Sequence, residues 1–241
     1  MIPEHIAAQE TIDFVKMHLT HLGTGAHLLD VGCGKGYLAA LLQSEGFEIT
    51  AIDKNAEAVA QARANGVAAR HVDLLELNGS PYDALLFSRV LHHLSNLPEA
   101  IAKAHTLLKP GGLLFVEDFD FERMNEAGAT WFYGLESVLK ADQHLGKSLT
   151  AEGGAGALER WQNHNHQHSI NSGAEMRRAV EGSFTLVHEA SPPYLYRYVA
   201  SRLEPDAQGV TLIKAVLAWE QALLEAGHLQ AVGLRWVGRA R

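Results

Sequence analysis

Between His27 and Ala39 the chain reads HLLDVGCGKGYLA, and the residue types and their spacing point to ligand binding. Gly32, Gly34 and Gly36 alternate with other residues directly behind an apolar run, so the backbone can turn tightly and meet a ligand with no side chain between. Dinucleotide sites space their glycines as G-x-G-x-x-G and aim a helix N-terminus at a pyrophosphate. Here the pattern is G-x-G-x-G with Asp30 in front. A second carboxylate, Asp53, closes the next apolar run. Doubly wound proteins place an acid about 20 residues beyond the glycine turn, where it accepts hydrogen bonds from both ribose hydroxyls. Asp53 can instead cap the helix that follows, although Asn55 is available for that task.

Proton transfer has its own candidates in His92 and His93. A neutral imidazole accepts a proton near neutral pH when a hydroxyl or amine attacks. Neighbouring helical residues point about 100° apart, so one of the pair at most reaches a substrate; the reading favours His93, with a hydrogen-bonded structural pair as the other reading. Further on, WQNHNHQHSINS spans Trp161 to Ser172 and alternates His164, His166 and His168 with amides. On a strand these three share one face, which suits a transition metal, a base with hydrogen-bond donors for a polar acceptor, or simply a polar surface loop. His168 joins His93 as a catalytic candidate, and no cysteine lies nearby to strengthen the metal reading, so no metal ligand is assigned.

With Asp30 ahead of its glycines, the first segment resembles the D/E-x-G-x-G-x-G signature of class I S-adenosylmethionine-dependent methyltransferases. The resemblance implies that Asp30 helps bind the methionine end of S-adenosylmethionine, which carries a sulfonium and an amino acid but no phosphate. It implies adenine recognition by Asp73 and the backbone of Leu74, which follow the third short apolar run. Gly32, Gly34, Gly36, Tyr37 at the head of the helix, Lys54 beside Asp53, and Ser88 closing the fourth run complete the expected cofactor set. SRVLHHL, from Ser88 to Leu94, resembles the same segment of ubiquinone/menaquinone-type and other small-molecule methyltransferases. Nucleic-acid amino methylases carry a D/N-P-P-Y/F element there, and this chain does not. The implied product is S-adenosylhomocysteine and the implied partner a small-molecule acceptor.

The elements that must hold these residues are legible from periodicity. Apolar positions from Pro3 to Leu22 recur at helical spacing, and Gly23 ends that helix. Strands are expected over 28–31, 47–52, 67–72, 84–87 and 113–119, with helices over 37–44, 55–65 and 97–108 between them. Lys109-Pro110-Gly111-Gly112 reads as a turn, and Glu117 and Asp118 end the fifth strand where either could orient substrate. Beyond it come a long helix over 123–145, a glycine-rich loop over 146–157, a helix over 173–182, a strand over 185–190, a helix over 210–226 and a last strand over 231–237. Tyr194, Tyr196, Arg197 and Tyr198 suit an aromatic or anionic acceptor, or else plain packing. The expected fold is α/β: a Rossmann-like doubly wound seven-stranded sheet, mostly parallel with an antiparallel last strand, helices on both faces. One domain is expected, with 1–24 as a helical cap, 25–118 as the cofactor-binding half and 119–241 as the acceptor side with helical insertions.

Composition narrows the partners. The 241 residues carry 20 Lys and Arg against 28 Asp and Glu, a formal charge of −8, which disfavours nucleic acid and anionic membranes. Cys33 is the single cysteine, so no internal disulfide forms and a reducing, cytoplasmic setting is expected. Its place within the glycine turn asks for a small side chain, which competes with a reactive thiol as its reason. No signal peptide and no 18-residue apolar run is read. Two rivals stand: a nicotinamide-dependent oxidoreductase, disfavoured by the glycine spacing and the lack of a Tyr-x-x-x-Lys pair, and a cofactor-binding module without transfer activity.

Overall fold

A computed structural model describes residues 1–19, 25–79, 81–141 and 156–241. The helix end expected at Gly23, the last residues of the long helix expected over 123–145 and the glycine-rich stretch up to residue 155 lie outside the described residues. In order the elements are α1 (Pro3–Leu19), β1 (His27–Val31), α2 (Tyr37–Ser44), β2 (Glu48–Asp53), α3 (Ala56–Ala64), β3 (Ala69–His71), β4 (Tyr82–Ser88), α4 (Leu97–Thr106), β5 (Leu108–Phe119), α5 (Glu126–Ala141), α6 (Ala157–Gln167), α7 (Gly173–Ser183), β6 (Phe184–Ala190), α8 (Tyr196–Ala200), α9 (Ala207–Glu225) and β7 (Gly233–Ala240). Packing divides them into two compact units: residues 1–7, 119–173 and 191–233, and residues 8–118, 174–190 and 234–241.

The second unit holds the seven-stranded sheet, in the order β3-β2-β1-β4-β5-β7-β6. β1 runs parallel to both β2 and β4, β3 parallel to β2, and β5 parallel to β4, whereas β7 is antiparallel to β6. The expected doubly wound sheet with its reversed last strand is therefore present. Strand alternation sorts the core into two faces. Leu29, Val31, Leu85, Phe87, Leu114 and Val116 pack against Ile101 and Ala104 of α4 and Met176 and Val180 of α7. Leu28, Ala84, Leu86 and Phe115 meet Ile12 and Val15 of α1 and Leu38 and Leu42 of α2. Leu28 and Leu29 are both fully buried, each worth about 1.5–3 kcal/mol of transfer free energy, and the two-residue period carries Asp30 onto the α1–α2 face.

Helix starts follow from side-chain caps. Asn55 accepts the Glu57 and Ala58 amides at the head of α3, and Asn96 accepts the Glu99 amide at the head of α4. The expected Lys109–Gly112 turn falls inside the bounds of β5: Leu108 pairs with Tyr82 and Leu113 with Ala84, and the four residues between have no register partner. Gly111 there has φ 76°, the left-handed state that lets the chain turn between the two paired stretches.

The first unit has its own core, an aromatic cluster. Phe119 stacks on Tyr194 at 4.9 Å between centroids, and Trp161 meets Phe132 and Tyr198 edge to face. The Trp161 indole N–H donates to the Phe121 carbonyl at 2.9 Å. Glu220 of α9 is buried and accepts the amides of Tyr194, Leu195 and Tyr196 at 2.7, 2.9 and 2.8 Å, which satisfies the otherwise orphaned N–H groups before α8.

Candidate functional site

The parallel pairs β1–β2 and β1–β4 put the C-terminal ends of three strands side by side, and the glycine turn rises from the middle one. The amides of Gly32 and Cys33 both donate to the Ile52 carbonyl, at 2.8 and 3.0 Å, so the turn is stitched to β2. Gly32 is required by its neighbour: a Cβ there would stand 2.5 Å from Cγ2 of Val90, in the loop after β4. Gly34, with φ 52°, has nothing within 4 Å of a Cβ and faces open space.

Asp53 ends β2 with both oxygens engaged: Oδ2 accepts the Gly34 amide at 2.9 Å and Oδ1 the Asn55 amide at 2.8 Å. Since Asn55 caps α3, Asp53 is left as an oriented acceptor, and a carboxylate has lone pairs beyond these two bonds. Asp73 is exposed; it accepts the Leu75 amide at 2.9 Å and caps a single 3-10 turn, Leu74–Glu76. Asp30 is 2% exposed and its Oδ2 has no partner. Burial, with the charge of Asp53 second, raises its pKa to about 7. Burial and the charges of Asp30 and Asp53 push the Cys33 thiol up to about 12, so this cysteine is no thiolate nucleophile near neutral pH and the small-residue explanation suffices.

A cavity of about 280 Å³ opens over these strand ends. Of the expected site residues it brings together Gly32, Asp53, Lys54, Asp73, Leu74 and His93, and it adds Leu75, Arg89, Val90 and Asn96. Asp30, Gly34, Gly36, Tyr37 and Ser88 are not on its wall; Asp30 is buried at the end of β1, and Gly36 and Tyr37 open α2.

The loop after β4 is clamped to the end of β5. Arg89 donates its amide to the Glu117 carbonyl at 2.7 Å, and His92 Nδ1 lies 2.6 Å from Asp118 Oδ1, with the His92 amide also directed at that carboxylate. Both side chains are buried. The His93 ring lies against His92, tilted at 45° with 3.9 Å between centroids. Sequence reasoning saw Asp118 as a substrate-orienting acid, but its carboxylate holds His92. Glu117 is likewise spoken for, by Arg235 at 2.8 and 2.7 Å, by the Thr11 hydroxyl and by Ser88 Oγ at 3.5 Å.

In the first unit the histidine run is corrected from a strand to a helix, α6. Trp161 and Asn165, four residues apart, bury one face of it, and three histidines two apart therefore diverge. His164 and His168 share a face at 4.7 Å between rings, whereas His166 packs on Phe121. Burial, then the charge of His168, lowers the pKa of His164. Among the described residues no group of three His, Cys, Asp or Glu side chains could hold a metal. Tyr194, Tyr196 and Arg197 are core residues, all less than 5% exposed.

Residues 4–183 match the model of a methyltransferase domain. A ubiquinone biosynthesis O-methyltransferase of Xylella fastidiosa is 37% identical over 125 residues, covering 47% of this chain and 49% of that protein; the chain spans about half the length of the curated relatives it matches. Among solved structures, the plantazolicin methyltransferase BamL, in complex with a triazolic desmethylPZN analog and S-adenosylhomocysteine, superposes with TM-score 0.61 at 15% identity, over 98% of this chain and 86% of that one. The [4+2]-cyclase SpnF superposes with TM-score 0.56 at 20% identity, over 96% and 80%. These two likenesses establish the fold, and the cyclase shows that the fold hosts other chemistry. The match over most of the chain decides the family: this protein belongs to the methyltransferase-domain family, of the class I S-adenosylmethionine-dependent type.

Proposed function

We propose that the protein transfers a methyl group from S-adenosylmethionine to a hydroxyl of a small-molecule acceptor. The observation that carries the cofactor assignment is Asp30, a buried carboxylate oxygen without a partner beside the glycine turn. Leaving such a group unpaired is costly, and an ammonium or a water shared with one satisfies it. Asp53, fixed by two amides, suits the ribose diol, and Asp73 with the Leu74 amide suits the adenine edge. The three carboxylates thus suit the ammonium, hydroxyl and amino donors of this nucleoside, and their charge repels a pyrophosphate. Bound there, the cofactor supplies an electrophilic methyl group that needs in-line positioning and exclusion of water more than covalent help.

For the proton of a hydroxyl acceptor we propose His92 as the base, with His93, which lines the cavity, as the other candidate. Asp118 fixes the tautomer of His92 and stabilises the imidazolium that forms, the arrangement that makes a histidine an effective base. His93 packs on it and lines the cofactor cavity, and His168 is kept as an acceptor-side hydrogen-bonding candidate. The hydroxyl rests on the name of the O-methyltransferase relatives. A charge of −8 favours small molecules over nucleic acid, a single cysteine favours the cytoplasm, and no described helix is long and apolar enough to cross a membrane. Calorimetry with S-adenosylmethionine and with NAD, followed by release of S-adenosylhomocysteine over a panel of phenols, alcohols and amines, tests the proposal. Cofactor binding with no turnover across the panel would leave a binding module; NAD binding would overturn the assignment.

A further inference from the structure

The histidine run of α6 takes no part in lining the cofactor cavity. His164 lies in the last turn of the helix and His168 at its C-cap, four residues on, so both rise from one side. Their ring centres are 4.7 Å apart and the planes cross at 70°. Two imidazoles that share one tetrahedral metal, at about 2.0–2.1 Å from each nitrogen, hold their ring centres about 5 Å apart. The pair already stands near that separation. His166, between them in sequence, packs instead on Phe121.

The fold fixes the place of the pair and leaves its nitrogens uncommitted. Trp161 and Asn165 are buried on the inner face of α6, and Asn165 donates to the Trp161 carbonyl at 2.8 Å. Each histidine follows one of these by three residues, so the two lie beside the buried stripe, His164 half-buried and His168 exposed. Among the described residues neither ring makes a hydrogen bond or an ion pair. Charge also favours a cation here, because the free carbonyls of a last turn give a helix C-terminus a partial negative charge. Glu136, on the α5 helix packed against α6, acts on His164 through its charge but is ion-paired with Arg202. No third His, Cys, Asp or Glu among the described residues completes a ligand set, so the open positions fall to water or to an oxygen of a small molecule.

We propose that His164 and His168 together bind one divalent cation of the zinc, nickel or copper kind. Imidazole nitrogen suits these metals, whereas magnesium and calcium take oxygen ligands. The site stands apart from the cofactor assignment and does not depend on it. The test is calorimetry on the full chain, without a polyhistidine tag, using zinc chloride with magnesium chloride as the hard-cation control, at about pH 7.5 where imidazoles are chiefly neutral. Zinc binds at one equivalent and raises the melting temperature, and magnesium does neither. Loss of an outer partner alone weakens metal sites by about 10- to 100-fold, so His164→Gln and His168→Gln each weaken zinc by at least about tenfold. Each also cancels the rise in melting temperature. His166→Gln changes zinc affinity by less than about twofold, because residues two apart on a helix point to different sides. His168 is exposed, so its variant keeps the fold and tests the site even where His164→Gln disturbs packing. No zinc binding by the wild type, unchanged zinc affinity in His168→Gln, or an equal loss in His166→Gln would overturn the proposal. So would magnesium binding as tightly as zinc.

Discussion

The Gly34 amide donates to Asp53 Oδ2 at 2.9 Å, so the turn after β1 and the acid that ends β2 are one construction. Each fixes the other before any ligand arrives. Preorganisation of this kind lowers the cost of binding, because the acceptor need not be ordered by its ligand.

Gly34→Ala and Gly36→Ala separate the turn's conformational role from its packing role. A methyl at Gly34 meets nothing within 4 Å, so only the left-handed backbone resists it, at roughly 1–2 kcal/mol. At Gly36, with φ 77°, the methyl also stands 2.9 Å from Ala62 Cβ and 3.1 Å from the Ala62 backbone, which raises the loss to roughly 2–4 kcal/mol. Denaturant unfolding followed by calorimetry with S-adenosylhomocysteine should show Gly36→Ala as the greater loss of stability and Gly34→Ala as chiefly a loss of affinity.

Asp30 makes both stability and binding depend on pH. Its folded pKa of about 7 lies above the unfolded value near 3.8, so the folded protein holds the extra proton between these values. The neutral carboxyl's contribution is whole below pH 4 and is lost as pH rises through 7, by roughly 4 kcal/mol at most. Asp30→Asn should therefore raise the melting temperature of the ligand-free protein at pH 8. Cofactor binding has the opposite sign, since the ammonium needs the ionised form. Affinity for S-adenosylmethionine should fall by up to about tenfold per unit below pH 7, and Asp30→Asn should flatten that dependence.

The His92–Asp118 pair is tested by Asp118→Asn, which keeps the shape and removes the charge. Turnover with a hydroxyl acceptor should fall by about 100-fold or more, with the dissociation constant for S-adenosylmethionine changed by less than about threefold. A parallel loss in both would make the pair a support of the loop and leave His92 without the base role.

Glu220→Gln addresses the first unit. Three amides converge on this carboxylate, and an amide side chain offers one oxygen where two were used. At least one buried N–H then loses its acceptor, at about 1–3 kcal/mol. Unfolding monitored by tyrosine and tryptophan fluorescence should report that loss, while cofactor affinity measured well below the transition stays within about twofold.

The glycine turn and the strands and helices around it are legible in the sequence because every device in them is local. Apolar runs end in Asp30, Asp53 and Asp73, the glycines sit directly behind the first, and Asn55 caps the helix that follows the second. What could not be read depends on register. Asp118 meets His92 only because β4 and β5 pair Ser88 with Glu117, and no residue type announces the positive φ of Arg89. The alternating histidines misled for another reason: polar residues carry no core-facing period, and the helix is set by Trp161 and Asn165 on one face. That stripe was in the sequence, outweighed by the chemistry of the residues between.

Calorimetry of wild type and Asp53→Ala with S-adenosylhomocysteine, with NAD as the competing ligand, puts the cofactor site to the hardest trial. Wild type should bind the thioether nucleoside and not NAD, and Asp53→Ala should weaken it by about tenfold to a hundredfold, as expected when a charged hydrogen-bond partner of both ribose hydroxyls is removed. An unchanged dissociation constant in a folded Asp53→Ala protein, or a preference for NAD, would contradict the account.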